Sequence, residues 1–522
     1  MGDEPSVDLR RQTTAANVIS GGLWTALANG LAPILLLLQS VVAARFLGPT
    51  RMGQQSFIAW VELTASLALS AGAANTLSRY LGAEVAAGRG GEMRAVLRTF
   101  TRLQVASGLL PAAVLALVVA PRAPTGLRGA WVLAGVCAAL LVAQAVPSTV
   151  LVALQQWRKQ AVISVVTGVL ATAGTVVVLA AGGGITGMFA VEAVALVGSG
   201  LWSAREALAL VRTMMPRARP AGGLLGEVLR YAGFASVQST LAYVVWQRSE
   251  FFFLDRYSSA RQIAMYSIAF ATVLGLQRLP ESLTQTLVPS LAVLIGAGER
   301  ERLAVAVSRS LRLLWTASVP LVAGLMAVGP LALRLIYGND YRASGPVLVI
   351  LITVLPAVLV ARVAGAVLHA AGRVRTVLAC LATAVVVDIA LCVLLVPAHG
   401  ARGAAVANIG AQGLATALEV GYARRIVGRL RVSWWRMLAG TLAAAACGGV
   451  AYAVTVALPN VAGLVIGIVA GAVAYLVAFL LLRPVADEDL EWLEGIAGAR
   501  LGGRVGSVLR RLREGFGRVA PS

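Results

Sequence analysis

The sequence predicts an all-α integral membrane protein of about fourteen transmembrane helices. These form two parallel six-helix bundles in a pseudo-twofold arrangement, followed by two extra helices. Three observations lead there. Of 522 residues, 58% are apolar and only 13% charged, with a mean hydropathy of +0.82, whereas a soluble domain carries about 25% charged residues. The apolar residues fall in runs long enough to span a bilayer, and the basic residues gather in short segments between them. The runs also repeat at a near-constant offset. An ordinary soluble enzyme is excluded. The excess of 44 basic over 23 acidic residues, +21 net, would point to nucleic acid in a soluble protein. Clustered between apolar runs, it reads as membrane topology, with no nucleic-acid partner.

A hydrocarbon core ~30 Å thick needs about 20 apolar residues in a helix. Such runs lie at 17–44, 55–77, 99–120, 130–154, 161–181, 185–204, 231–254, 263–295, 311–336, 344–369, 376–397, 403–423, 434–457 and 461–482. Ala26-Leu27-Ala28 resembles a signal cleavage site, but the apolar stretch before it is short and the run continues to Ala44. The first segment is therefore expected to stay uncleaved. With both termini cytoplasmic, the inner regions hold 32 Arg and Lys residues, from Arg10 to Arg518, and the outer loops nine. That asymmetry is the positive-inside pattern.

The expected parts are a cytoplasmic N-terminus (1–16), a first six-helix bundle (17–210), a cytoplasmic linker (211–230), a second bundle (231–425), two additional helices (434–482) and a cytoplasmic tail (483–522). The tail opens acidic (Asp487, Glu488, Asp489, Glu491, Glu494) and ends basic (Arg504, Arg510, Arg511, Arg513, Arg518). It reads either as an amphipathic helix on anionic headgroups or as a solvated extension. Lys159 is the only lysine, and with abundant Ala and Gly this suggests a GC-rich bacterial genome. The expected location is the bacterial cytoplasmic (inner) membrane, with multiple passes.

Gly184-Ile185-Thr186-Gly187-Met188-Phe189-Ala190-Val191 recurs as Gly400-Ala401-Arg402-Gly403-Ala404-Ala405-Val406-Ala407, an offset of 216 residues. Leu154-Gln155-Gln156-Trp157-Arg158 parallels Leu368-His369-Ala370-Ala371-Gly372-Arg373. Gly53-Gln54-Gln55-Ser56-Phe57 parallels Ala264-Met265-Tyr266-Ser267-Ile268, an offset of 211. The offset covers six helices, so both copies share one orientation, which is the parallel-repeat architecture of transporters.

Polar side chains inside a span are costly and face a cavity or one another. In the seventh run Ser236, Ser239, Tyr243, Gln247 and Glu250 recur every three or four residues, beside Arg248. In the eighth, Gln277, Glu281 and Gln285 share a face next to Arg278, with Pro280 expected to bend the helix. The second run has Gln55, Glu62, Ser66 and Ser70 on one face, and the first has Thr25 and Asn29. Four such helices would enclose a hydrated cavity. Arg248, Arg278 and Arg362 suit an anionic group, because guanidinium pairs bidentately with phosphate and keeps its charge when buried. Alternatively, Arg278 pairs with Glu281 and Arg248 snorkels to the headgroups. The expected substrate-binding residues are Arg248, Arg278, Gln247, Gln277, Gln285, Glu62, Asn29 and Arg362. Asp388, Glu192 and Glu281 are the coupling-ion candidates, for a proton or sodium gradient. The four cysteines (Cys137, Cys380, Cys392, Cys447) read as packing residues. No metal motif, P-loop, HExxH or nucleophile elbow is present in the sequence, so neither a bound cofactor nor an enzymatic activity is expected.

Ala44-Arg45-Phe46-Leu47-Gly48-Pro49 followed by Gly53 resembles the "ARxLGPxxxG" pattern after the first helix of polysaccharide flippases. These belong to the multidrug/oligosaccharidyl-lipid/polysaccharide exporter superfamily. Ile263-Ala264-Met265-Tyr266-Ser267-Ile268-Ala269-Phe270 resembles the "xGxYsxAy" start of their eighth helix, and Leu335-Ile336-Tyr337-Gly338-Asn339-Asp340-Tyr341 their "liyGxxY" element. Leu395-Val396-Pro397-Ala398-His399-Gly400-Ala401-Arg402-Gly403-Ala404-Ala405 is similar to their "LiPxyGaxGAA" turn. The resemblance covers roughly residues 15 to 480. It implies an alternating-access flippase for an undecaprenyl-pyrophosphate-linked oligosaccharide, with membrane lipids, a polysaccharide polymerase and glycosyltransferases as partners. It also implies a cationic cavity lined largely by the first, second, seventh and eighth helices, and a lipid-tail groove at the extra helix pair. The pattern departs at Ala264, where Gly is usual, at Asp388, where Asn is common, and in the first two helices, which lack a buried Arg. A drug/cation antiporter of the same superfamily and a non-transporting scaffold for polysaccharide assembly are the competing expectations.

Overall fold

The computed structural model describes residues 15–87, 89–215, 224–246, 249–284, 287–428 and 433–485. All but two residues of the expected N-terminal segment and nearly all of the tail lie outside this range. We number the main helices α1 (Ala15–Ala86), α2 (Gly90–Ala113), α3 (Arg128–Ala153), α4 (Trp157–Ala180), α5 (Gly184–Met214), α6 (Leu224–Trp246), α7 (Glu250–Tyr257) and α8 (Ala260–Thr284). They continue as α9 (Leu287–Gly296), α10 (Arg300–Tyr337), α11 (Ser344–Ile352), α12 (Leu355–Ala370), α13 (Val374–Val427), α14 (Trp434–Ala457) and α15 (Val461–Leu482).

The described parts of the fourteen apolar runs are almost wholly helical, but helix boundaries and runs do not coincide one for one. The runs at 17–44 and 55–77 share α1, whose backbone leaves helical geometry only at Gly48 (φ 72°, ψ 170°). Glycine reaches that φ without a Cβ clash, and Pro49 then opens the next helical stretch with its fixed φ. The runs at 376–397 and 403–423 likewise share α13, bent at Gly400 (φ 54°, ψ −129°). The described residues of 231–254 fall in α6 and α7 and those of 263–295 in α8 and α9, and the run 344–369 is divided between α11 and α12. In the last, Pro356 sits in the first turn of α12, where its missing N–H costs nothing. Helix α2 passes through a π-helical segment, Val114–Val119, before ending at Arg122.

Ten of the described helices are long and apolar enough to cross a membrane. Leu117, Val194, Leu201, Leu394 and Val469 are exposed on them, and an outer surface of that kind suits lipid, where a soluble protein would carry polar residues. The chain is a multi-pass membrane protein.

Contacts divide it into two units. The first runs to Asp255 and includes Ser259–Ala264; the second comprises Arg256–Ser258 and the chain from Met265 onward. Helix α6, expected to open the second bundle, therefore packs with the first unit. Asn75 Nδ2 donates to Ser239 Oγ at 3.0 Å and Tyr80 Oη to Glu227 Oε1 at 3.0 Å, while the Arg79 guanidinium lies 4.7 Å from the centre of the Tyr231 ring. Gly72 lets the α6 backbone come close, since a Cβ there would meet the Ala232 carbonyl. Below these contacts Leu77, Leu81, Met93, Phe100, Leu154 and Val228 form a buried core. Lys159 Nζ, at the start of α4, meets Glu206 Oε2 of α5 at 2.7 Å.

In the second unit α10 carries the additional hairpin. Trp315 Nε1 donates to Thr441 Oγ1 at 3.2 Å and Tyr475 Oη to the Thr316 carbonyl at 3.0 Å. Gly463, Gly467 and Gly471 fall one turn apart on α15. A Cβ at Gly463 would strike Leu458, and Cβ atoms at the other two would press on Ala451, Thr455 and Cys447 of α14, so small residues set the close approach of the pair. Asn460 caps α15 by accepting from the Gly463 N–H at 2.9 Å. Asn460→Ala is expected to cost about 1 kcal/mol, the usual worth of such a cap, seen as a lowered thermal midpoint in detergent.

The internal repeat is visible in the backbone. Gly184 and Gly400, 216 residues apart, have φ of 57° and 54°. Gln155 and Gly372 occupy the left-handed region at the matching turns, with φ of 58° and 69°. In each turn an N–H reaches the carbonyl five residues back: Gln156 to Leu151 and Arg373 to Leu368, both at 2.8 Å. This is the hydrogen-bond pattern that closes a helix on a left-handed residue.

Candidate functional site

The structure brings together a group that no single motif marks. Glu62 of α1, Cys137 of α3 and Glu192 of α5 each offer one side-chain donor atom, and the three atoms lie within 4.8 Å of one another. All belong to the first unit. Helices α1 and α3 approach closely here because Ala134 and Ala138 flank Cys137, all three fully buried. Ser66 Oγ bonds the Glu62 carbonyl one turn back at 2.7 Å and reaches the Ala138 carbonyl of α3 at 3.5 Å. Cys137 Sγ donates to the Phe189 carbonyl at 3.6 Å, which ties α3 to α5 just before Glu192.

Glu62 is 2% exposed, and neither carboxylate oxygen has a hydrogen-bond partner. Glu192 is partly buried. Two carboxyl groups at this distance repel when both are ionised, and the low-dielectric surroundings strengthen the repulsion. Such a pair holds a proton, a cation or an additional donor between its members; among the described residues no ion pair joins either one to a base.

A signal for this cluster was present in the sequence. Glu62, Cys137 and Glu192 each fall seven residues into their runs, 55–77, 130–154 and 185–204, which begin on the same side of the membrane. At 1.5 Å per residue they share a depth of roughly 10 Å. Equal depth, rather than chain spacing, is what allows residues on neighbouring spans to meet.

The other expected residues are placed as follows. Gln277 is half-buried on α8. Arg278 and Glu281 belong to the same helix, and their side chains lie outside the described residues, as does that of Asn29 in α1. Gln247, Arg248 and Gln285 fall wholly outside the described residues. Arg362 is exposed on α12 and interacts electrostatically with Glu419, which is buried on α13. Asp388 is 1% exposed and lies near Cys392 Sγ, at 4.0 Å from Oδ1. The polar stripe of the second run turns inward: Ser66 and Ser70 bond carbonyls of their own helix and are buried. Of the seventh-run stripe, Ser236 Oγ bonds the Ala232 carbonyl and Ser239 accepts from Asn75. Glu250 falls on α7, whereas Ser236, Ser239 and Tyr243 fall on α6.

Residues 236–394 match the MatE family model. Among solved structures, an inward closed conformation of the lipid II flippase MurJ aligns with 88% of this chain and 99% of its own, with a TM-score of 0.69 at 14% identity. The fold is that of the MurJ and MATE transporters. An inward-facing multidrug resistance MATE family transporter of the MOP superfamily covers 77% of this chain and 95% of its own (TM-score 0.58, 15% identity). The Vibrio cholerae MATE transporter VcmN covers 80% and 97% (TM-score 0.56, 17% identity). No curated protein sequence matches the chain. The expected all-helical transporter fold is thus observed, and the MatE segment spans α6 to α13.

Proposed function

We propose that the chain is a flippase that moves an undecaprenyl-pyrophosphate-linked oligosaccharide, the repeat unit of a cell-surface polysaccharide, across the bacterial cytoplasmic membrane by alternating access. One observation carries the reading: the lipid II flippase structure aligns with 88% of the chain at a TM-score of 0.69, against 77–83% at 0.52–0.58 for the MATE structures. The cationic content of the seventh and eighth runs supports an anionic substrate over a cationic drug. Arg248 and Arg278 bind the pyrophosphate, with Gln247, Gln277 and Gln285 beside them. A proton or sodium gradient acts through Asp388 or Glu281, because a flippase without a driving gradient or downstream consumption only equilibrates its lipid. A polymerase and glycosyltransferases are its partners in the membrane.

The test is flipping of a fluorescent undecaprenyl-pyrophosphate oligosaccharide in proteoliposomes. The intact protein is expected to exceed empty liposomes, and Arg278→Ala and Arg248→Ala at matched reconstitution to lose about tenfold or more, the ~1.4 kcal/mol floor for one charge-assisted contact. If the intact protein does no better than empty liposomes under an imposed gradient, the flippase reading fails. Gradient-driven efflux of cationic dyes insensitive to loss of Arg278 would instead favour an antiporter. Polysaccharide assembly that depends on the tail, without any flipping, would favour a scaffold.

A further inference from the structure

We propose that Glu62, Cys137 and Glu192 form a binding site for a divalent cation of the zinc class. Three helices each deliver one donor to a common point, with the donor atoms within 4.8 Å of one another. The Glu62 carboxylate is buried, aims into the cluster, and has neither oxygen hydrogen-bonded. A buried carboxylate left in that state costs several kcal/mol of desolvation, and a cation between the two glutamates offsets that cost.

The donor set selects the cation. Sodium, magnesium and calcium favour all-oxygen cages, and magnesium keeps several of its waters. One sulfur with two carboxylate oxygens suits zinc, which takes Cys, His, Asp and Glu in tetrahedral sites. In such a site ligand atoms stand roughly 3.5 Å apart, given bonds of about 2.0–2.3 Å, so contraction by about 1 Å through side-chain rotation closes it. The sulfur binds as thiolate, and the resulting charge of −3 from the ligands is partly offset by +2 from the metal. Three protein ligands leave a fourth position open for water. In the metal-free chain the Cys137 thiol donates to the Phe189 carbonyl; on binding it gives that proton up to solvent, while Ser66, bonded to the Glu62 and Ala138 carbonyls, keeps α1 against α3 beside the donors.

The experiment uses the purified full-length chain in detergent, stripped with a chelator and titrated with Co2+ as a spectroscopic stand-in for Zn2+. One equivalent is expected to bind, with a thiolate-to-cobalt charge-transfer band and tetrahedral d–d bands, both displaced by Zn2+. Cys137→Ser should lose the charge-transfer band, and Glu62→Gln should weaken binding at least ~10–100-fold, the loss typical of removing even an outer-shell partner. Cys447→Ser, in the second unit, should leave both unchanged. Absence of stoichiometric Co2+ binding, or binding that survives Cys137→Ser with its spectrum intact, overturns the proposal and leaves a proton shared by the two carboxylates. Should a variant fail to fold, the intact chain decides: Zn2+ must raise its thermal midpoint where equal Mg2+ does not.

Discussion

Gly53→Val is expected to remove most of the folded protein. Gly53 is buried, and a Cβ built on it falls within bonding distance of the Ala260 backbone carbonyl. Overpacking against side chains costs about 1–3 kcal/mol because they rotate away. A carbonyl in the first turn of α8 has no rotamer to change, so relief requires moving one helix off another. The cost is then ~3 kcal/mol or more, a large share of the 5–15 kcal/mol that holds a typical native state. The measurement is the yield of monodisperse protein in detergent and its thermal midpoint. Gly30→Ala is the control: nothing lies within 4 Å of its Cβ position in α1, and it is expected to leave stability unchanged or raise it by roughly 0.5–1 kcal/mol.

The second large effect separates two positions that the repeat makes equivalent. Gly187 and Gly403 each follow a positive-φ glycine by three residues, at Gly184 and Gly400. Their surroundings differ. A Cβ at Gly403 meets the Leu395 backbone carbonyl across the bend of α13, whereas one at Gly187 meets the tip of the Val178 side chain. Gly403→Ala is therefore expected to destabilise by ~3 kcal/mol or more and Gly187→Ala by about 1 kcal/mol, because Val178 has a second rotamer to take. Equal losses in thermal midpoint would mean that the bend at Gly400 gives way as easily as a valine methyl.

The same comparison shows what the sequence made legible. Span positions follow from hydropathy, because a helix in lipid must satisfy its backbone internally whatever its neighbours are. The turns at Gly184, Gly400 and Gly372 were marked by glycines that no other residue replaces without strain. Partner choice was less legible. Periodicity placed Ser236 and Ser239 on one face of a helix, but nothing in a period of 3.6 says that this face meets Gly72 and Asn75. Glu62 reads as a substrate-binding residue, Glu192 as a coupling-ion candidate and Cys137 as packing; that the three meet is legible only jointly, through shared depth. Arg362 has a simpler lesson: its charge was read as available to a substrate, and the structure sets it within the field of Glu419.

The ion pair between Lys159 and Glu206 has a practical consequence. Lys159 is the only lysine in the sequence, and its side chain stays 44% exposed beside Glu206. An acylating reagent specific for amines therefore meets one side chain in the whole helical body, at the turn between α3 and α4, while the many guanidinium groups stay silent. A dye attached there sits at one known rim of the first unit. The face of the bilayer from which an impermeant reagent reaches it fixes the orientation of every span at once.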